Sequence, residues 1–176
     1  SLFTAISEYS KEVMNLADQM RESTRINNEL IRQNRYVQAA DPSKTYFPPQ
    51  PKDEVPYLDF SSLQNALVTL DQSTRKLADY LKNNKHTTRE REALNQSMYH
   101  AEQQLLLDKG LPRRGWYRHA IYAPGFYTGY GVKTLPGIRE AIEQRNWKEA
   151  QEQIKLAAGA IEKFSAYLAE TVPATR

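Results

Sequence analysis

Arg113, Arg114, Arg118 and His119 fall within seven residues, interleaved with Trp116 and Tyr117. Guanidinium groups grip carboxylates through paired N–H donors, so such a cluster can form an anion-binding corner. A second reading puts the same side chains on the rim of a packed loop, paired with acidic helices. Composition weighs toward that second reading, because surface ion pairs are common and individually weak. A few residues on, Tyr130 lies between Gly129 and Gly131. Two flanking glycines leave its ring free to project and let another surface approach the backbone, and a phenol hydroxyl can donate to a ligand carboxylate.

Other chemistries lack their residues. The chain has no cysteine, and no serine stands in a G-x-S-x-G setting. Its histidines, His86, His100 and His119, are widely separated, and none belongs to an HExxH pair, so no intrinsic metal site is expected. Lys133-Thr134 is the nearest approach to a phosphate loop, and it lacks the preceding glycine pattern. Carboxylate pairs such as Glu90 with Glu92, or Glu149 with Glu152, read as solvated helix faces.

The elements that must position these groups follow from periodicity. Ile6, Tyr9, Val13, Leu16 and Met20 step at helical spacing, predicting a long amphipathic helix from Thr4 to about Val37 with a kink near Thr24. Five of the nine prolines lie between Ala39 and Leu58, a density that no helix survives. That stretch predicts an extended crossing docked by Tyr46, Phe47 and Tyr57. Leu63, Leu67, Leu70, Thr74, Leu77 and Leu81 mark a second helix, from about Ser61 to Asn83. Thr87 with Glu90 is a capping box opening a third, which runs to Leu107 and ends at Gly110 and Pro112. Pro136 begins a short helix, and Asn146 caps a last one whose stripe is Trp147, Ala150, Ile154, Ala157, Ile161, Phe164 and Leu168. The fold class is therefore all-α: an antiparallel four-helix bundle with a long Pro-rich crossing and a long ordered Gly/aromatic loop before the last helix. Six of the seven glycines and six aromatics lie in that loop, Gly110 to Gly137. An ordered loop of such composition in a helical protein is where function is expected.

At 176 residues the chain fits one domain, 1–176. Its net charge is +3 with both signs interleaved, which argues against nucleic acid as a partner. No apolar run approaches the roughly 20 residues that span a bilayer, so no membrane contact by this segment is expected. The chain opens abruptly at Ser1 before an apolar pair, which predicts a fragment of a longer protein. Strong stripes together with the aromatic loop exceed what one bundle buries, and predict self-association.

The loop also carries a resemblance. Gly110-Leu111-Pro112, Tyr117-Arg118-His119, Ile121-Tyr122-Ala123-Pro124 and Pro136-Gly137-Ile138, in this order and spacing, resemble the C-terminal helical domain of glutamate carboxypeptidase II and its relatives, the transferrin receptor-like dimerisation domain. The resemblance runs from about Phe3 to Leu168, including F-S-S-L-Q-N-A-L at the second helix. It implies the C-terminal part of an exported M28-type metallopeptidase, whether periplasmic, secreted or membrane-anchored. Upstream it implies a dizinc catalytic domain and a protease-associated domain, so both zinc ions and all catalytic residues lie outside this chain. It implies a homodimer, and a substrate pocket for peptides with an acidic C-terminal residue to which loop 119–137 contributes. A Lys-Tyr pair of the family falls on Gly129 and Tyr130: the tyrosine is kept and the lysine is not. Lys133 and Arg118 are the nearby cations that could stand in, with Tyr130 the best supported binding residue. Transferrin-receptor members of the family lack peptidase activity, so a non-catalytic interaction module is the alternative.

Overall fold

The computed structural model describes residues 2–83, 86–127 and 131–172. It is mostly helical, as the periodicities require. Helices α1 (Leu2–Arg32), α2 (Arg35–Gln38), α3 (Ser61–Asn83) and α4 (Thr88–Ala101) precede the glycine-rich loop, and α5 (Pro136–Glu143) and α6 (Trp147–Thr171) follow it. A short 3-10 turn, Glu102–Leu105, extends α4. Between α4 and α5 lies an element the all-α expectation did not contain, an antiparallel pair of strands β1 (Tyr122–Pro124) and β2 (Val132–Thr134).

The core is built around α6. Its stripe is buried as expected at Ala150, Ile154, Ala157, Ile161, Phe164 and Leu168. Gln153, Ala158, Ala160 and Ser165 widen that stripe into a broad face. Helix α3 packs along it most extensively through Leu63, Ala66, Leu70, Ser73 and Leu77, with α5 and the 3-10 turn beside it. Leu81, expected to continue the α3 stripe, is exposed. Helix α1 packs on α3 and α5. Its innermost residues are Ile6, Ser10, Val13, Ala17 and Thr24, with Tyr9, Leu16 and Met20 partly buried at the edge of that face. The Ser10 hydroxyl is satisfied inside by donating to the Ile6 carbonyl at 2.8 Å.

The kink expected near Thr24 does not interrupt the helix. The helix is unbroken to Arg32 and the chain turns instead at Asn34, whose φ of 55° is left-handed. The Thr24 hydroxyl accepts from Arg145 at 3.1 Å. The Pro-rich crossing has no regular structure, as expected, but two of the three aromatics expected to dock it, Phe47 and Tyr57, are more than 80% exposed, with Tyr46 at 40%. Val55 is the residue that goes in. The crossing is fastened through its backbone instead. Arg21 donates to the carbonyls of Val55 and Pro56, Asn28 exchanges two hydrogen bonds with Lys52, and Arg145 donates to the Asp53 carbonyl. Tyr57 lies against the Arg21 guanidinium at 3.9 Å, a contact that leaves most of the ring in solvent.

Helix α4 starts with the predicted capping box, Thr87 accepting from the Glu90 amide and Glu90 from the Thr87 amide. Only Ala101 of this helix is buried, while Met98 and Tyr99 are exposed.

Candidate functional site

The glycine-rich segment is fixed at both ends. After the 3-10 turn the chain pairs with its own continuation: the Leu107 amide donates to Arg118 at 2.7 Å, Ala120 to Leu105 at 2.9 Å and Leu111 to Tyr117 at 2.8 Å. The tight return between these partners needs Gly110, whose φ is +68° and whose missing Cβ leaves room for the Gly115 carbonyl. Further on, Tyr122 pairs with Thr134, Ala123 with Lys133 and Pro124 with Val132, and the Gly125 amide donates to Gly131 at 2.8 Å. The hairpin tip therefore starts at Gly125 and returns at Gly131. Two of the candidate residues, Gly129 and Tyr130, lie outside the described residues.

A buried ion pair holds this hairpin to the helices. Arg114 and Glu140 are both about 3% exposed, with Nη2 and Oε1 2.7 Å apart. Arg114 Nη1 also donates to the Pro124 carbonyl, and Glu140 Oε1 accepts the Phe126 amide at 2.9 Å. One carboxylate on α5 thus satisfies both a guanidinium and the backbone where the tip begins. Further hydrogen bonds make such a pair tolerable inside, although the Arg114 Nε stays buried without a partner among the described residues.

The remaining cations are also partnered. Arg113 makes a two-pronged pair with Glu149 at 2.9 and 2.8 Å. Lys133 donates to both oxygens of Glu143 at 2.7 and 2.9 Å. Arg139 joins Glu12 of α1 to Thr134 of β2. Arg118 donates through Nε to the Leu107 carbonyl at 3.0 Å, at the far end of the ladder from the hairpin tip. The basic cluster is not one converging corner: Arg113, Arg114 and Arg118 are drawn to three different acceptors. Glu149, read from sequence as a solvated face, is the acceptor for Arg113 and the N3 residue of the Asn146 cap. Glu140 and Glu143 were not picked out by sequence reasoning. Glu140 could have been, as a carboxylate inside the apolar run Ile138, Ala141 and Ile142.

His119 is neutral by construction. Its Nδ1 accepts from the amides of Ile121 and Tyr122 at 3.2 and 3.4 Å, which requires the proton on Nε2. Burial pushes its pKa below the ordinary histidine value, with Glu102 acting weakly the other way. Tyr122 stacks on the ring at 4.1 Å between centroids.

Among the described aromatics of the segment, two are largely uncovered and three are partly covered. Trp116 is 75% exposed and Tyr127 63%, with Tyr117, Tyr122 and Phe126 near 40%. Phe126 and Tyr127 meet edge to face at 4.8 Å where the tip begins. Among the described residues, no group of three or more His, Cys, Asp or Glu is placed to hold a metal ion, and no helix is long and apolar enough to cross a membrane.

The chain is 34% identical over 109 residues to a probable glutamate carboxypeptidase of Arthroderma benhamiae, covering 60% of this chain and 15% of that protein. It is 35% identical over 100 residues to a probable glutamate carboxypeptidase of Arabidopsis thaliana, covering 48% of this chain and 15% of the relative. It is 26% identical over 110 residues to an inactive zinc metalloprotease of Schizosaccharomyces pombe, covering 60% of this chain and 14% of the relative. The chain thus spans about 15% of the length of these relatives. Residues 58–169, which take in α3, α4, the whole glycine-rich segment and nearly all of α6, match the transferrin receptor-like dimerisation domain, and the chain belongs to that family.

Proposed function

We propose that this chain is the homodimerisation domain of a glutamate carboxypeptidase-like zinc peptidase, and that its loop 119–137 forms one wall of the pocket receiving the C-terminal residue of a peptide substrate. In that role α1, α3, α4 and α6 act as an antiparallel four-helix bundle, with the bare face of α4 covered by the second copy. The observation that carries the reading is an anchored loop segment that leaves two of its rings largely in solvent. A segment tied down by a buried ion pair and a backbone ladder, yet leaving Trp116 and Tyr127 uncovered, is built to meet another surface. Tyr130, by its sequence position between Gly129 and Gly131 in the hairpin tip, is the residue proposed to touch substrate. The two zinc ions and the catalytic residues of such a peptidase would belong to another domain of the polypeptide, alongside a protease-associated domain. An acidic C-terminal residue is the class that the family resemblance implies.

In the intact parent protein, Tyr130→Ala is expected to raise KM for a dipeptide series severalfold while the bound zinc, measured by metal analysis, stays at the wild-type level. Unaltered kinetics across the series would remove the pocket role and leave the dimerisation role standing. The second reading, a non-catalytic interaction module, is favoured by one observation only: a relative that matches 60% of this chain is an inactive protein.

A further inference from the structure

We propose that the groove between α6 and the 106–110 segment is a binding site for a small anionic amphiphile, a carboxylate carried on a single hydrocarbon chain. None of its lining residues belongs to loop 119–137.

The groove has a volume of about 480 Å³, within the usual range of small-molecule sites. Leu106 and Leu107 form one side, and Leu156 and Ala160 of α6 the other. Leu156 is 49% exposed, an apolar side chain that the domain leaves uncovered. Lining positions 152, 155, 156, 159, 160 and 163 recur at helical spacing, so one stripe of α6 faces the groove for about 16 Å. In the middle of that stripe is Gly159. Its backbone is helical, and a Cβ built there would meet nothing within 4 Å. Glycine weakens a helix relative to alanine, and no close approach inside the domain requires it here. Its missing side chain deepens the groove instead.

The chemistry of the lining selects the occupant. Lys109, Lys155 and Lys163 border the groove, and none of them makes an ion pair or hydrogen bond among the described residues, although Asp59 feels the charge of Lys155. Asp108 and Glu152 are the carboxylates on the rim. Beyond Glu152, the only charges that α6 turns to the groove are lysines, which places an anionic head at the end marked by Lys155 and Lys163. No asparagine, glutamine, serine, threonine or tyrosine lines the groove among the described residues. A peptide laid here would find no side-chain amide or hydroxyl for its backbone groups, whereas a hydrocarbon chain has no such groups to satisfy. Leucine and alanine surface binds that chain by removing apolar area from water.

The test is calorimetric titration of decanoate into the intact parent protein. One saturable site per chain is expected, tightening about twofold per methylene from octanoate to dodecanoate, because an open groove covers about half of each methylene. Decyltrimethylammonium, with the same tail and the opposite charge, should bind about tenfold more weakly. Lys155→Gln with Lys163→Gln should weaken decanoate about fivefold and leave decanol unchanged. Gly159→Leu should abolish uptake by filling the groove. Its Tm should not fall, because leucine is the better helix former and a Cβ at this position meets no neighbour. Absence of saturable uptake, equal uptake of both head groups, or uptake that Gly159→Leu leaves unchanged overturns the proposal. If wild type takes up no decanoate and Gly159→Leu dissociates the dimer in sedimentation, the groove belongs to a second copy and the ligand falls.

Discussion

Glu140 shows how a single side chain decides the form of the glycine-rich segment. Its carboxylate receives Arg114 and the Phe126 amide at once, and Arg114 reaches on to Pro124. Removing one member of such a pair leaves an uncompensated buried charge, which generally costs about 3–5 kcal/mol. Glu140→Ala is therefore expected to lower stability by about that amount in urea unfolding, with the amide of Phe126 losing protection from hydrogen exchange. A change below about 1 kcal/mol would mean that Arg114 finds solvent without cost. His119 acts through protonation. Its folded pKa is depressed, chiefly by burial, so the neutral ring is the native form. The unfolded chain binds the proton more readily, near the ordinary value of about 6.5. The contribution of His119 is thus complete above about pH 6.5 and is lost as pH falls through the lower folded pKa. Thermal unfolding at pH 7.5 and 5.0 should show a drop in Tm that is smaller in His119→Gln, whose side chain does not titrate. Equal drops in both proteins would assign the acid sensitivity elsewhere.

At the scale of elements, two glycines make opposite predictions. Gly110 sits at φ +68° with the Gly115 backbone where a Cβ would be, so Gly110→Ala is expected to cost at least about 1–3 kcal/mol and to disturb the 105–120 ladder. Gly159 lies inside α6 with open space around its Cβ direction, so Gly159→Ala should stabilise by about 0.5–1 kcal/mol. Chemical denaturation of the two variants checks both signs. The same scale shows what the sequence made legible. The capping box at Thr87, the proline opening α5 and the Asn146 cap rest on interactions within a few residues, and each is present. The stripes of α3 and α6 show because period alone marks a core face, although Leu81 of α3 is exposed. What periodicity did not reveal depends on partners far along the chain. Strands β1 and β2 are three residues each, too short to show alternation, and exist because Leu135 and Gly125 find acceptors at Ile121 and Gly131. The sequence predicts a kink near Thr24, and α1 runs unbroken through it, with the Thr24 hydroxyl accepting from Arg145 in the turn between α5 and α6. Tyr46, Phe47 and Tyr57 were read as docking groups because rings usually bury. Here arginine and asparagine side chains bind the crossing's carbonyls, and the rings stay outside.

Across the whole molecule, the uncovered apolar groups define what the domain still needs. A helix of 14 residues that buries only Ala101 is hard to explain in a lone domain. Isolated helices of that length are marginal in water, and its capping box adds only modestly to its stability. Tyr99 on that helix is 78% exposed and Met98 is 42% exposed, while Trp116 adds a third uncovered apolar side chain at the loop. A specific interface buries about 800 Å² on each partner, and aromatic anchors carry much of its energy. Sedimentation of this chain should accordingly show concentration-dependent self-association. Tyr99→Glu or Trp116→Glu is expected to weaken the dimer by at least tenfold while circular dichroism still reports a folded helical domain, because neither ring contributes to the core. Weakening by Tyr99→Glu alone would put the interface on α4 and leave Trp116 and the hairpin for the substrate side. Weakening by Trp116→Glu alone would draw the loop into the dimer contact. If both variants associate as wild type does, these surfaces face other domains of the parent, and the two copies meet elsewhere.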